Sequence, residues 1–343
     1  MAPSSATAVR SRAIPRRIIG LTVVVVMALS GGIWSWLRPA TPWVDGKPVH
    51  QWVLLACDQN AAALEKVLAF PAQAAAELNL VLKSVEPLPS RFRGWVEPHV
   101  PLAWTHYLPT KIDMEIRRRV AVNLLATMRL HSSVAREGLV RSLRDPSPYV
   151  SGPAAMILMN WGVPTPEAVP HVLRLCSDTN EFLLMQVLPG LRRVGVPAAD
   201  GVPHLIRHLT PASRQRMDVR LPALFGLKEY GAAAAPARDL LLTLASDPDP
   251  GIRLFVYQCL KGAELKDAAT VDVLTKALED PELSNRIQVL QALGGMGPSA
   301  RTAVPKIVET MRNNVAEFWR LGRAALLLIA PEIPEANQVL LDQ

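Results

Sequence analysis

The chain reads GVPTPEAVP from Gly162, GVPAADGVP from Gly195, 33 residues on, and a looser GPSARTAVP from Gly297. A Gly-Pro turn rewritten at a fixed interval of this size constrains the fold more than any other feature. Units of this length cannot each close a core alone, so they must stack and bury their apolar faces on one another.

Aligned on that glycine, the register covers residues 111–343. Eleven residues before Gly162, Gly195, Gly231 and Gly297 stand Ser151, Leu184, Arg220 and Arg286, and the column continues as Arg118, Arg253 and Arg320. The spacing is 33, with three extra residues before Arg220 and one before Arg320. Seven residues further on every unit has leucine: Leu125, Leu158, Leu191, Leu227, Leu260, Leu293 and Leu327. Apolar pairs such as Ala154-Ala155, Val187-Leu188, Ala223-Leu224 and Val289-Leu290 complete one face of a first helix.

A second helix follows the turn. Val172/Cys176, Leu205/Leu209, Leu241/Ala245, Leu274/Leu278 and Ile307/Met311 carry its buried face. The turn glycine is expected in the left-handed conformation that ends a helix. Pro170, Pro203 and Pro305 are expected in the first turn of the second helix, where a missing N–H costs nothing. Between units stand Asp145, Asp178, Asp247 and Asp280, three of them followed by Pro, which read as N-caps of the next first helix. An Arg six residues after such an Asp can pair with it or with a neighbouring unit's Asp.

A helix pair with DPxxxxR, a Leu seven residues on, a Gly turn and VP opening the second helix resembles HEAT repeats, most of all the short bacterial kind related to phycobilisome-lyase-type repeats. The resemblance spans about 230 residues and implies an all-α, right-handed α-solenoid of about seven helix pairs. It implies a scaffold more than an enzyme. Ser151 and Leu184 depart from the Arg pattern, which breaks any ladder of ion pairs there.

Ahead of the repeats, residues 1–17 form a basic tail, with Arg10, Arg12, Arg16 and Arg17. Residues 18–37, IIGLTVVVVMALSGGIWSWL, are twenty positions without a charge. Such a length spans the hydrocarbon core, and Trp34 and Trp36 suit its far interface. The basic flank puts the N-terminus inside and the remainder outside a bacterial inner membrane. Cleavage after Ala28-Leu29-Ser30 is the alternative, with a secreted body. LLAC, ending on Cys57, is similar to a lipobox, but Asp45, Lys47 and His50 separate it from the apolar span.

Residues 38–110 read as an irregular helical cap. DGKPVHQWVLLAC resembles a stretch that precedes such arrays in membrane-anchored bacterial HEAT proteins, with Trp52 on a helix starting after Pro48. Trp95 and Trp104 lie in a proline-rich aromatic segment, read either as cover for the first unit or as a loop that binds a partner.

Thirty-seven Lys and Arg face 30 Asp and Glu; without the four arginines of the tail the ratio is 33 to 30, too even a body for nucleic-acid binding. Cys57, Cys176 and Cys259 lie far apart, with no CxxC to suggest a disulfide framework or zinc site. His171 and His204 share a column and His208 lies one turn on; this strip is the place for a metal or an exported enzyme, against the reading of a solvated basic strip. No His is followed by Glu, as in the HEAT-type iron hydroxylase, and no nucleophile triad, phosphate loop or dinucleotide motif is present. No catalysis and no cofactor are expected. The exposed second-helix residues His171, Arg174, His204, Arg207 and Lys306, with Trp95 and Trp104, are the candidate partner-binding positions, and the partner expected is a protein with an acidic segment.

Overall fold

The computed structural model describes residues 43–83, 111–127, 133–210, 217–312 and 316–337. The span 18–37, Trp95 and Trp104 lie outside them. Among the described residues no helix is long and apolar enough to cross a membrane. Two compact units divide the chain, residues 1–138 and 139–343.

The first unit opens on a β-hairpin, β1 (Trp43–Val44) against β2 (Lys47–Pro48), with Trp43 opposite Pro48. Asp45 and Gly46 turn it at φ 45° and 77°. Positive φ at both central residues gives the turn the hand that suits strand twist, and Asp-Gly is the dipeptide that tolerates it. The expectation of a purely helical chain is corrected in this respect.

Helix α1 (Val49–Cys57) starts directly after Pro48, and Trp52 Nε1 donates to the Val44 carbonyl at 2.8 Å. Helix α2 (Ala61–Ala69) is capped by the Asn60 side chain, and α3 (Pro71–Lys83) begins on Pro71. Val53, Cys57, Ala63 and Leu78 form their shared core, and α4 (Lys111–Thr127) packs on α1 and α3. The division between units falls within α5 (Ser133–Ser142).

The second unit is a stack of helix pairs. They are α6 (Pro148–Trp161) with α7 (Val169–Leu175), then α8 (Glu181–Val187) and α9 (Leu191–Val194) with α10 (Ala198–Arg207). Next come α11 (Met217–Tyr230) with α12 (Arg238–Leu244) and α13 (Pro250–Gly262) with α14 (Ala268–Ala277). Finally α15 (Leu283–Met296) pairs with α16 (Val304–Arg312) and α17 (Ala316–Ile329) with α18 (Pro334–Asn337). Successive first helices pack on one another. Pro189 splits one of them into α8 and α9, since its ring removes a helical N–H and crowds the preceding turn.

The apolar columns are buried as their periodicity demands. Leu158, Leu191, Leu227, Leu260 and Leu293 are at most 1% exposed, and both residues of each second-helix pair are buried. The last unit corrects the register: Leu327 is 40% exposed and Leu326 fully buried. No residue is inserted there, and Trp319, not Arg320, continues the column. One position rotates a side chain by about 100° on a helix, enough to move it from core to solvent.

The caps are also displaced. Asp145, Asp178, Asp247 and Asp280 each accept the N–H of the residue two positions on, at 2.9, 2.8, 3.0 and 3.0 Å. They form Asx turns, and the N-caps are Ser147, Asn180, Asp249 and Glu282. In DPSP and DPDP it is therefore the second proline, Pro148 or Pro250, that opens the helix. Pro203 lies inside α10, which starts at Ala198, a turn earlier than its proline implied. The helix-forming Ala198-Ala199 pair carries the helix back to Pro197.

The turn glycines Gly162, Gly195, Gly231 and Gly297 have φ of 65°, 98°, 57° and 61°. In the unit that begins with α13, which lacks the glycine, Glu264 takes the same position at φ 53°. A side chain there crowds its own backbone, at a cost of about 1–2 kcal/mol. Glu264→Gly is expected to stabilise the protein by about 0.5–1 kcal/mol after the entropy of the freer chain is counted. Thermal melting checks this; an unchanged or lower midpoint means the turn is held by the Glu264 side chain.

Ion pairs join neighbouring repeats in the direction of the next Asp. Arg253 Nε and Nη2 clasp Asp280 at 2.7 and 3.0 Å, while Nη1 reaches back to the Asp247 carbonyl at 2.8 Å. Burial works to raise the Asp280 pKa, but Arg253, the Glu282 N–H, Asn285 and Tyr257 together hold it below the ordinary range. Arg220 Nη1 meets Asp247 in the same way at 2.8 Å. Ser151, where Arg is missing, turns its hydroxyl back to the Ser147 carbonyl at 3.1 Å.

Candidate functional site

Helices α7 and α10 place His171 with Arg174, and His204 with Arg207, at matching positions one repeat apart. Val172 and Leu175 are buried beneath α7, and Val202 and Leu205 beneath α10. Helical spacing therefore turns the four polar residues outward, the histidines half-buried and the arginines exposed.

Both arginines are anchored. Arg174 Nη2 donates to the Leu143 carbonyl at 2.7 Å, and Arg207 Nη2 to the Cys176 carbonyl at 2.9 Å. Each acceptor lies just past the end of the preceding second helix, where orphan carbonyls and the helix dipole favour a cation. The guanidinium groups are thus fixed in place by one N–H, and the rest of each group meets solvent.

Arg144 joins them, its Nε donating to His171 Nε2 at 3.0 Å. Burial, then Arg144 and Arg174, push the His171 pKa below the ordinary range. Burial and then Arg207 do the same to His204, against a smaller opposite effect of Asp200. No carboxylate pairs with Arg144, Arg174 or Arg207 among the described residues. The face is cationic, with Asp200 a smaller opposing charge beside His204.

Lys306, from the same column as His171, does not share this character. Its Nζ pairs with Glu279 and, at 3.1 Å, with Glu309. Arg238 is likewise engaged by Asp267 and Asp239. His208 leaves the strip altogether: it is 8% exposed, and its Nε2 donates to the Cys176 carbonyl at 2.9 Å. The three histidines do not converge on a common point with free ring nitrogens. No group of three His, Cys, Asp or Glu side chains able to hold a metal occurs among the described residues. Burial pushes the thiols of Cys57, Cys176 and Cys259 up to about 12, so they behave as core residues.

Sequence reading overlooks Arg144. The trace it leaves is an offset of 27 residues: Arg144 faces His171 as Glu279 faces Lys306, the last turn of one second helix meeting the first turn of the next. That contact requires knowing which helix ends adjoin.

HEAT repeats match residues 202–294 and, in a second overlapping placement, 239–327. No curated protein matches the chain. Among solved structures, one crystal structure of an engineered protein is 19% identical, covers 56% of this chain and 94% of its own, and has a TM-score of 0.43. Another engineered protein is 16% identical, covers 82% of this chain and 84% of its own, with a TM-score of 0.47. The matched residues include three of the helix pairs described above in full, and a helical repeat fold similar to HEAT repeats accounts for them.

Proposed function

We propose that a chain with units of this kind is a non-enzymatic scaffold on the outer face of a bacterial inner membrane, which binds a protein partner through helices α7 and α10. The observation that carries the reading is the set of arginines without carboxylate partners, Arg144, Arg174 and Arg207, on a body of nearly balanced charge. HEAT repeats generally mediate protein–protein interaction, which supports the choice of a protein as partner. Display outside the membrane rests on the arginines before residue 18, the uncharged span to residue 37 and the two tryptophans at its end. Cleavage after Ser30 leaves the repeats exported all the same.

Two measurements in cells test this. A phosphatase reporter fused after Gln343 is expected to be active, and a photo-crosslinking residue at position 204 is expected to capture a protein that the same residue at the first-helix position Ser284 does not. An inactive phosphatase reverses the orientation. Crosslinks at positions 95 and 104 but not at 204 would move the binding site to the proline-rich aromatic segment.

A further inference from the structure

We propose that the occupant of this face is an extended acidic protein segment whose carboxylates recur at every third residue. The inference rests on the scaffold reading and names its partner's chemistry. Arg174 and Arg207 occupy equivalent positions on adjoining second helices, and each is tied to a helix-end carbonyl 31 residues earlier in the chain. One fixed cation in each of these two repeats is the result. Adjacent helices pack about 8–10 Å apart, and a chain extended in the polyproline II conformation advances about 3.1 Å per residue and returns every third side chain to the same face. A segment crossing the second helices therefore meets a guanidinium at every third residue, and guanidinium groups already held in place lose less freedom on pairing with carboxylates.

The extent of the face is set by charge. Beyond residue 207 the column of Arg174 and Arg207 continues as Thr243, Lys276 and Glu309, so the run of arginines stops there; the other cations nearby are neutralised, Arg238 by Asp267 and Lys306 by Glu279. Arg144 and His171 extend the strip on the other side. A nucleic-acid strand is the poorer occupant. Neither VPHVLRL of α7 nor AADGVPHLIR of α10 holds a Phe, Tyr or Trp for base stacking.

The test uses the purified full chain in detergent and three fluorescent probes: a peptide with Asp at positions i, i+3 and i+6, a peptide of the same composition with the three Asp adjacent, and oligothymidine. The spaced peptide is expected to bind about tenfold more tightly than the adjacent one, and to weaken with added salt. Arg174→Glu and Arg207→Glu also remove a helix-end hydrogen bond, so His204→Glu serves as the variant that adds repulsion without removing one. It is expected to lower affinity for the spaced peptide about tenfold, with an unchanged melting temperature, whereas Lys306→Glu leaves affinity as it was. Equal binding of the two peptides, preference for oligothymidine, or indifference to His204→Glu overturns the proposal. If position 204 still crosslinks a protein in cells while the spaced peptide gains nothing, the scaffold reading stands and this inference fails. If the spaced peptide binds as expected while position 204 captures no protein, the surface chemistry stands and the scaffold reading fails.

Discussion

Asp247→Ala is expected to destabilise the protein by about 3–5 kcal/mol, because it leaves a buried guanidinium without its counter-ion. The Arg220 and Asp247 side chains are 4% and 1% exposed and meet at 2.8 Å across the boundary between two repeats. The second Asp247 oxygen accepts the Asp249 N–H, so the substitution also loosens the Asx turn that leads into α13. Removing the charge from both sides is a different matter. In Arg220→Met/Asp247→Asn no ion is buried, and the Asn oxygen keeps the turn, so the double variant should lie closer to the wild type than Asp247→Ala does. Urea denaturation of the three proteins measures this. A loss under 1 kcal/mol for Asp247→Ala would mean that solvent reaches Arg220.

The second large effect separates two adjacent leucines. Leu326→Ala should cost about 2–5 kcal/mol, the usual range for a leucine removed from a closed core. Leu327→Ala should cost less than about 0.5 kcal/mol. Their exposures, 0% and 40%, are the reason. Equal losses, or the reverse order, would restore the register in which an extra residue precedes Arg320.

The choice between those two leucines shows where local pattern stops. Both fit an apolar stripe on LGRAALLLIA, and Arg320 offers itself as a continuation of the Arg column. Only the packing of α17 on α15 decides that Leu326 repeats Leu293. The same packing creates a column that composition does not reveal. Gly190, Gly226, Cys259, Ala292 and Ala325 occupy one position of successive first helices. At Gly226 an added methyl group would lie 2.4 Å from the Leu188 carbonyl oxygen. Small residues there permit close approach of backbones, a requirement that at Gly226 is set by a residue in the preceding repeat.

The sequence alone determined the repeat length, the two apolar faces of each unit and the left-handed turn between them. These follow from interactions within a few residues: helical periodicity, proline's missing N–H, and glycine's freedom at positive φ. The position of Glu264 in that same turn shows the geometry persisting where the residue does not. Tertiary structure alone decided which Asp each Arg meets, that Arg174 and Arg207 reach the carbonyls of the preceding repeat, that Glu279 neutralises Lys306, and that His208 is buried. Each of these depends on two groups that are distant in sequence coming within about 3 Å, a distance set by how one helix seats on the next. Electrostatic character therefore belongs to the stack and not to any one repeat: the same column is cationic at Arg174 and Arg207 and carries Glu309 further along.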